Sequence, residues 1–160
     1  MKDPSEVDER PWRGVAFRLA GRDLVVPLPS LREVREVPRF ARVPGVRDWM
    51  VGVANVNGRL LPVADLAHYF LGRPRRGGAD RALVVERDGF LSGLLVDEIL
   101  GVRDFSSSVR RDPEGGGGKG DALDECVAGV CPSEDGTWEL FDVDALLDRP
   151  DFADAREARS

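Results

Sequence analysis

Three stretches of this 160-residue chain are written in one grammar: VGVANVNGRLLPVADL (residues 51–66), LVVERDGFLSGLLVDEIL (83–100) and VCPSEDGTWELFDVDALL (130–147). Each sets a β-prone run, a turn dipeptide, a second run and then an aspartate. The dipeptides Asn57-Gly58, Asp88-Gly89 and Asp135-Gly136 suit two-residue type I′ turns, in which both central residues need positive φ. A fourth hairpin precedes them. In VAFRL, Val15, Phe17 and Leu19 alternate with Ala16 and Arg18 as in a half-buried strand, AGRD turns the chain, and LVVPL returns until Pro27 and Pro29 end it. At least eight short strands with few long helices define a mainly β chain, a small barrel or a sandwich. Because the hairpin unit recurs on both sides of Arg73 to Asp80, two packed barrels are favoured over one sandwich. SLREVREVPRF (30–40) fits either a helical turn or extended chain.

The aspartates that close these units have a structural use. Asp65 precedes LAHYFLG, where Leu66, Tyr69 and Phe70 sit at helical spacing and Gly72 can stop the turn, so its carboxylate can accept from the exposed amides of a helix N-terminus. Asp97 before EILG, with Gly101 as the stop, and Asp142 or Asp144 before the apolar ALL repeat the arrangement. All three are expected to be helix caps.

Chemistry is harder to find. Catalysis needs a second group of matched pKa or a nucleophile beside a base, and no Gly-x-Ser-x-Gly elbow, His-Glu-x-x-His or dinucleotide fingerprint is present. His68 stands alone. Cys126 and Cys131, spaced C-x4-C, are at no recognisable zinc spacing and read as ordinary reduced thiols. The loop SSSVRRDPEGGGGKGD (106–121) lacks the Lys-Ser/Thr of a phosphate loop and reads as a flexible surface segment. Net charge is −6, with Lys and Arg in excess in the first half and Asp and Glu in the second. The arginines are not interleaved with stacking aromatics, which disfavours nucleic acid. No run approaches the roughly 20 apolar residues of a membrane helix, and the acidic start MKDPSEVDERPWRG lacks a signal core, so a cytoplasmic chain without direct membrane insertion is expected.

The segments VPGVRDWMVGVANVNGRLLPVADL, ALVVERDGFLSGLLVDEILGVRDF and ELFDVDALL together resemble the CheW-like adaptor family of chemotaxis signalling, and the wording Trp-x-x-Gly-Val-Ala-Asn-Val is similar to the PilI branch of type IV pilus twitching systems. The resemblance implies one CheW-like domain over residues 12–148, made of two intertwined five-stranded SH3-like β-barrels with short helices and flanked by flexible termini at 1–11 and 149–160. It also implies no catalysis, no cofactor and a bridging role between the cytoplasmic tip of a methyl-accepting chemoreceptor and the regulatory domain of a CheA-like histidine kinase, at membrane-bound receptor arrays. By the same likeness, receptor binding falls to Leu31, Glu33, Val34, Asn55, Val56, Asn57 and Gly58, and kinase contact to an apolar patch of Leu83, Val85 and Phe152. One position departs from the family: the arginine of its Asn-Leu-Arg-Gly motif is here Asn57. Glu33 is then left to Arg59, to Arg35 or to a basic group on a partner.

Two other classes stay open on sequence alone. Asp65, Asp97 and Asp142 could gather as oxygen ligands of a divalent metal in an enzyme, or a small barrel could bind nucleic acid. Helix caps should lie apart; a metal site should bring the carboxylates within a few ångströms.

Overall fold

A computed structural model describes residues 11–37, 47–74, 81–105, 121–134 and 136–157. The glycine-rich stretch up to residue 120 and Asp135 lie outside the described residues. Among the described residues ten strands form two five-stranded sheets. The first has the order β8-β1-β2-β10-β9, built from β1 (Trp12–Leu19), β2 (Arg22–Pro27), β8 (Glu98–Phe105), β9 (Val127–Ser133) and β10 (Gly136–Phe141). The second has the order β3-β6-β7-β5-β4, from β3 (Glu33–Glu36), β4 (Met50–Val56), β5 (Arg59–Asp65), β6 (Arg81–Arg87) and β7 (Phe90–Leu95). Each sheet therefore takes strands from both ends of the chain's midpoint.

The turns explain the hairpins. Leu19 faces Arg22 across Ala20-Gly21, Val56 faces Arg59 across Asn57-Gly58, and Arg87 faces Phe90 across Asp88-Gly89. In all three turns both central residues have positive φ, the backbone that matches the twist of paired strands. The last hairpin departs from the Asp-Gly expectation. Ser133 faces Gly136, so Gly136 opens β10 instead of lying in the turn. The ambiguous SLREVREVPRF carries β3, an edge strand paired to β6.

Burial divides into three clusters. One, with Ala54, Leu61, Val63, Ala82, Val84 and Leu95, belongs to the second sheet alone. Another, with Ala16, Val25, Phe105, Cys131 and Trp138, belongs to the first. The largest draws on both sheets: Val15, Phe17, Leu24 and Val26 meet Leu83, Val85, Leu94 and Val96, together with Leu146 and Leu147. Strands β1, β2 and β6 thus bury both faces, which is why their sequences run apolar rather than alternating.

Three helices close the elements: α1 (Leu66–Leu71), α2 (Val143–Leu147) and α3 (Pro150–Glu157). Helix α3 lies in the terminal segment after residue 148 and is packed on the domain. Its Phe152 is fully buried, stacked on Trp49 with ring centroids 5.1 Å apart, and Tyr69 meets both rings edge-on. The Tyr69 hydroxyl donates to Asp151 at 2.6 Å and accepts from Arg149 at 2.8 Å. Burial and the Asp151 carboxylate push this phenol above its ordinary pKa.

Candidate interaction surface

The three aspartates are separated by what they hold. Asp65 accepts from the His68 amide at 3.1 Å at the start of α1, and Asp142 accepts from the Ala145 amide at 3.1 Å at the start of α2. Asp97 is a correction: no helix follows it. EILG begins β8, with Ala16 paired to Gly101 and Phe17 to Ile99, so Leu100 is the extra residue of a bulge and Gly101, at φ 103, belongs to that irregularity. The Asp97 carboxylate accepts instead from the Ala20 amide at 2.9 Å, in the turn where a non-glycine residue takes φ 55. No group of three metal-ligating side chains exists among the described residues, so the metal-enzyme reading finds no site there. Cys126 and Cys131 are buried free thiols, in different core clusters, and burial pushes both up to about 11.

The resemblance-derived kinase patch is also corrected. Leu83 and Val85 lie on β6 between β3 and β7 and point into the shared core, and Phe152 is covered by Trp49 and Tyr69. None of the three side chains reaches solvent.

The residues named for receptor binding fall at the margins of the second sheet. Glu33 and Val34 lie on its edge strand β3, just after Leu31; Asn55, Val56, Asn57 and Gly58 make the β4–β5 tip, on the opposite edge of the strand order. Leu31 and Val34 are half-buried against the shared core, and Val56 is buried inside the second sheet's own cluster. Glu33, Asn55 and Asn57 are exposed. Asn57 takes the left-handed backbone, at φ 51, and the Asn55 side chain accepts from the Gly58 amide at 3.0 Å, so both asparagines also build the turn.

The charge left by the missing motif arginine is settled locally. Arg35 donates to Glu33 at 2.9 Å, two residues along the same strand and therefore on the same face. Arg59 is engaged elsewhere: it donates to Glu86 at 2.9 Å and to the Gly89 carbonyl at 3.0 Å, tying the β4–β5 tip to the β6–β7 tip. Arg32 also binds Glu86. The Arg59 hydrogen bond and the Arg32 charge outweigh desolvation and hold the Glu86 carboxyl below the usual carboxylate range.

Beside this polar cluster stand apolar side chains that motif reading missed. Leu60 is 63% exposed and Phe90 50%, at the starts of the two parallel-paired strands β5 and β7; on the first sheet, Val102 of edge strand β8 is 57% exposed. Strand periodicity contained the signal for Leu60: Leu61 and Val63 face inward, so Leu60 must face outward.

A scaffold of two five-stranded sheets with polar and apolar side chains at exposed strand edges is that of an interaction module. Residues 13–151 match the CheW-like domain family, and the chain belongs to it. It is 40% identical to the protein PilI of Pseudomonas aeruginosa strain PAO1 over 149 residues, which cover 89% of this chain and 79% of that one. It is 30% identical to the protein FrzA of Myxococcus xanthus, covering 71% of this chain and 70% of FrzA. Among solved structures, the scaffolding protein TtCheW of Thermoanaerobacter tengcongensis superposes with a TM-score of 0.71 at 25% identity, over 89% of this chain and 96% of that one. Members of this family are adaptors. No helix among the described residues is long and apolar enough to cross a membrane.

Proposed function

We propose that this chain is the adaptor of a chemotaxis-type system controlling type IV pilus twitching, joining the cytoplasmic tip of a methyl-accepting receptor to the regulatory domain of a CheA-like histidine kinase. It works without catalysis or cofactor, in the cytoplasm beneath receptor arrays. The observation that carries this reading is the 40% identity to PilI across 89% of the chain. The geometry supports it: a shared core locks two sheets together, so surfaces on each are held at fixed separation.

On this reading the receptor contacts Glu33, Asn55 and Asn57, with Leu31 and Val34 reached only at their exposed edges, and Val56 and Gly58 shaping the tip. Leu60 and Phe90 replace Leu83, Val85 and Phe152 as the apolar side chains available to a partner. Individual contacts of this transient kind can bury less than about 1,200 Å², with array multivalency supplying the rest. The Glu33→Gln variant tests the receptor surface by titration against a receptor-tip peptide. Weaker binding with unchanged thermal stability is expected, because an exposed pair such as Arg35–Glu33 adds little to folding. Unchanged binding together with lost stability would make the pair internal and remove Glu33 from the surface.

A further inference from the structure

The two sheets are the same construction made twice, and the chain's halves have traded parts to build them. In the first half, β1 and β2 form a hairpin, β3 an edge strand, β4 and β5 a second hairpin, and α1 follows a capping aspartate. The second half repeats this as β6 and β7, β8, β9 and β10, and α2. The sheet orders β8-β1-β2-β10-β9 and β3-β6-β7-β5-β4 become identical when corresponding elements are exchanged.

The correspondence holds to the residue. Val15 pairs with Val102 as Leu83 pairs with Val34, and Arg13 faces Asp104 as Arg81 faces Glu36. In the parallel ladders, Leu140 lies opposite Val25 as Val63 lies opposite Gly93. Phe141 opposes Val127 as Ala64 opposes Met50, each beside a register shift. The capping aspartates repeat in detail: the Asp65 amide donates to the Trp49 carbonyl at 2.8 Å and the Asp142 amide to the Cys126 carbonyl at 2.7 Å, while each carboxylate accepts from the amide three residues on. One alignment of the halves satisfies every ladder.

We infer that each half of this interlaced pair is the other's obligate folding partner, and that a second copy of this chain can supply the missing half. The ladders β1·β8, β2·β10, β3·β6 and β5·β7 all cross between halves. Within a half, only two isolated hairpins and an unpaired edge strand remain, and lone hairpins are marginal in water. A single connection, between Gly72 and Arg81, joins the halves. Exchange between molecules therefore breaks no pairing and needs only a change of path there, the condition under which domain swapping occurs.

The test is a protease site placed within residues 75–80 of the full chain and cut after folding. Both fragments should stay in one particle of intact mass. Either fragment, isolated in denaturant and returned to buffer, should show no cooperative unfolding as a monomer, and an equimolar mixture should regain it. A half that unfolds cooperatively as a monomer, or a mixture that regains nothing at the highest soluble concentration, overturns the inference. The intermolecular part is read by unfolding two differently tagged intact copies and refolding them together. Dimers carrying both tags, with unchanged strand content and a yield rising with protein concentration, are expected; monomers alone at every concentration contradict exchange with a second copy.

Discussion

The two sheets share a strand order, but one charge cluster in the first is more sheltered than its counterpart in the second. In the first, Arg22 on β2 makes a bidentate pair with Glu139 on β10, at 2.7 and 2.6 Å, and reaches Asp124 at 2.8 Å, all three side chains sheltered. In the second, Arg32 just before β3 and Arg59 at the β4–β5 tip meet Glu86, with the two arginine side chains about half exposed, 52% and 41%. Bidentate, desolvated pairs hold strands together, whereas exposed ones contribute little and stay free to exchange partners. The Arg22 cluster therefore reads as part of the frame, whereas the Arg13–Asp104 and Arg18–Asp23 pairs of the first sheet are as exposed as the tips of the second.

The sharpest way to break this division is Phe152→Ala. Removing a fully buried ring from its stack on Trp49 should cost about 3–4 kcal/mol, seen as a large fall in denaturation midpoint. A stable variant that has lost kinase binding would return Phe152 to the surface role that motif reading gave it. Next in size, Arg22→Ala strands two carboxylates and should cost about 2 kcal/mol, against about 0.5 kcal/mol or less for Arg59→Ala; equal losses would erase the distinction between the two clusters. The Arg22 cluster also has a pH signature. Desolvation pushes the Asp124 carboxyl up, but the hydrogen bond and charge of Arg22 outweigh it and hold that carboxyl below its usual value. A depressed folded pKa stabilises above the unfolded value of about 3.9 and is lost as pH falls below it. The stability gap between wild type and Arg22→Ala should accordingly narrow below about pH 4; a gap that widens there would contradict the assignment. Smallest are the caps. Asp65→Ala and Asp142→Ala should each cost about 1 kcal/mol, with the buried Asp65 the costlier of the two.

How much of this was legible depended on whether a signal was local. Asn57-Gly58 and Asp88-Gly89 specify their turns outright, and Asp65 and Asp142 announce helices because short apolar turns follow. Asp97 carries the same local signature, yet pairing with β1 draws EILG into β8 and turns its glycine into part of a bulge. Tertiary pairing overrode local pattern, as it did where Gly136 joined β10. The kinase patch failed for a related reason: ALVV on β6 is apolar on both faces because each face meets a different core cluster, and no single strand reveals its neighbours. The missing motif arginine was visible in the sequence; that Arg35, rather than Arg59, answers Glu33 required coordinates.

Sedimentation of the protein with a kinase regulatory domain and a receptor-tip fragment together, without nucleotide, shows whether this frame holds two partners at once on separate surfaces. A single species containing all three is expected. Two partners that displace one another, or that both fail to sediment with the protein, would contradict it.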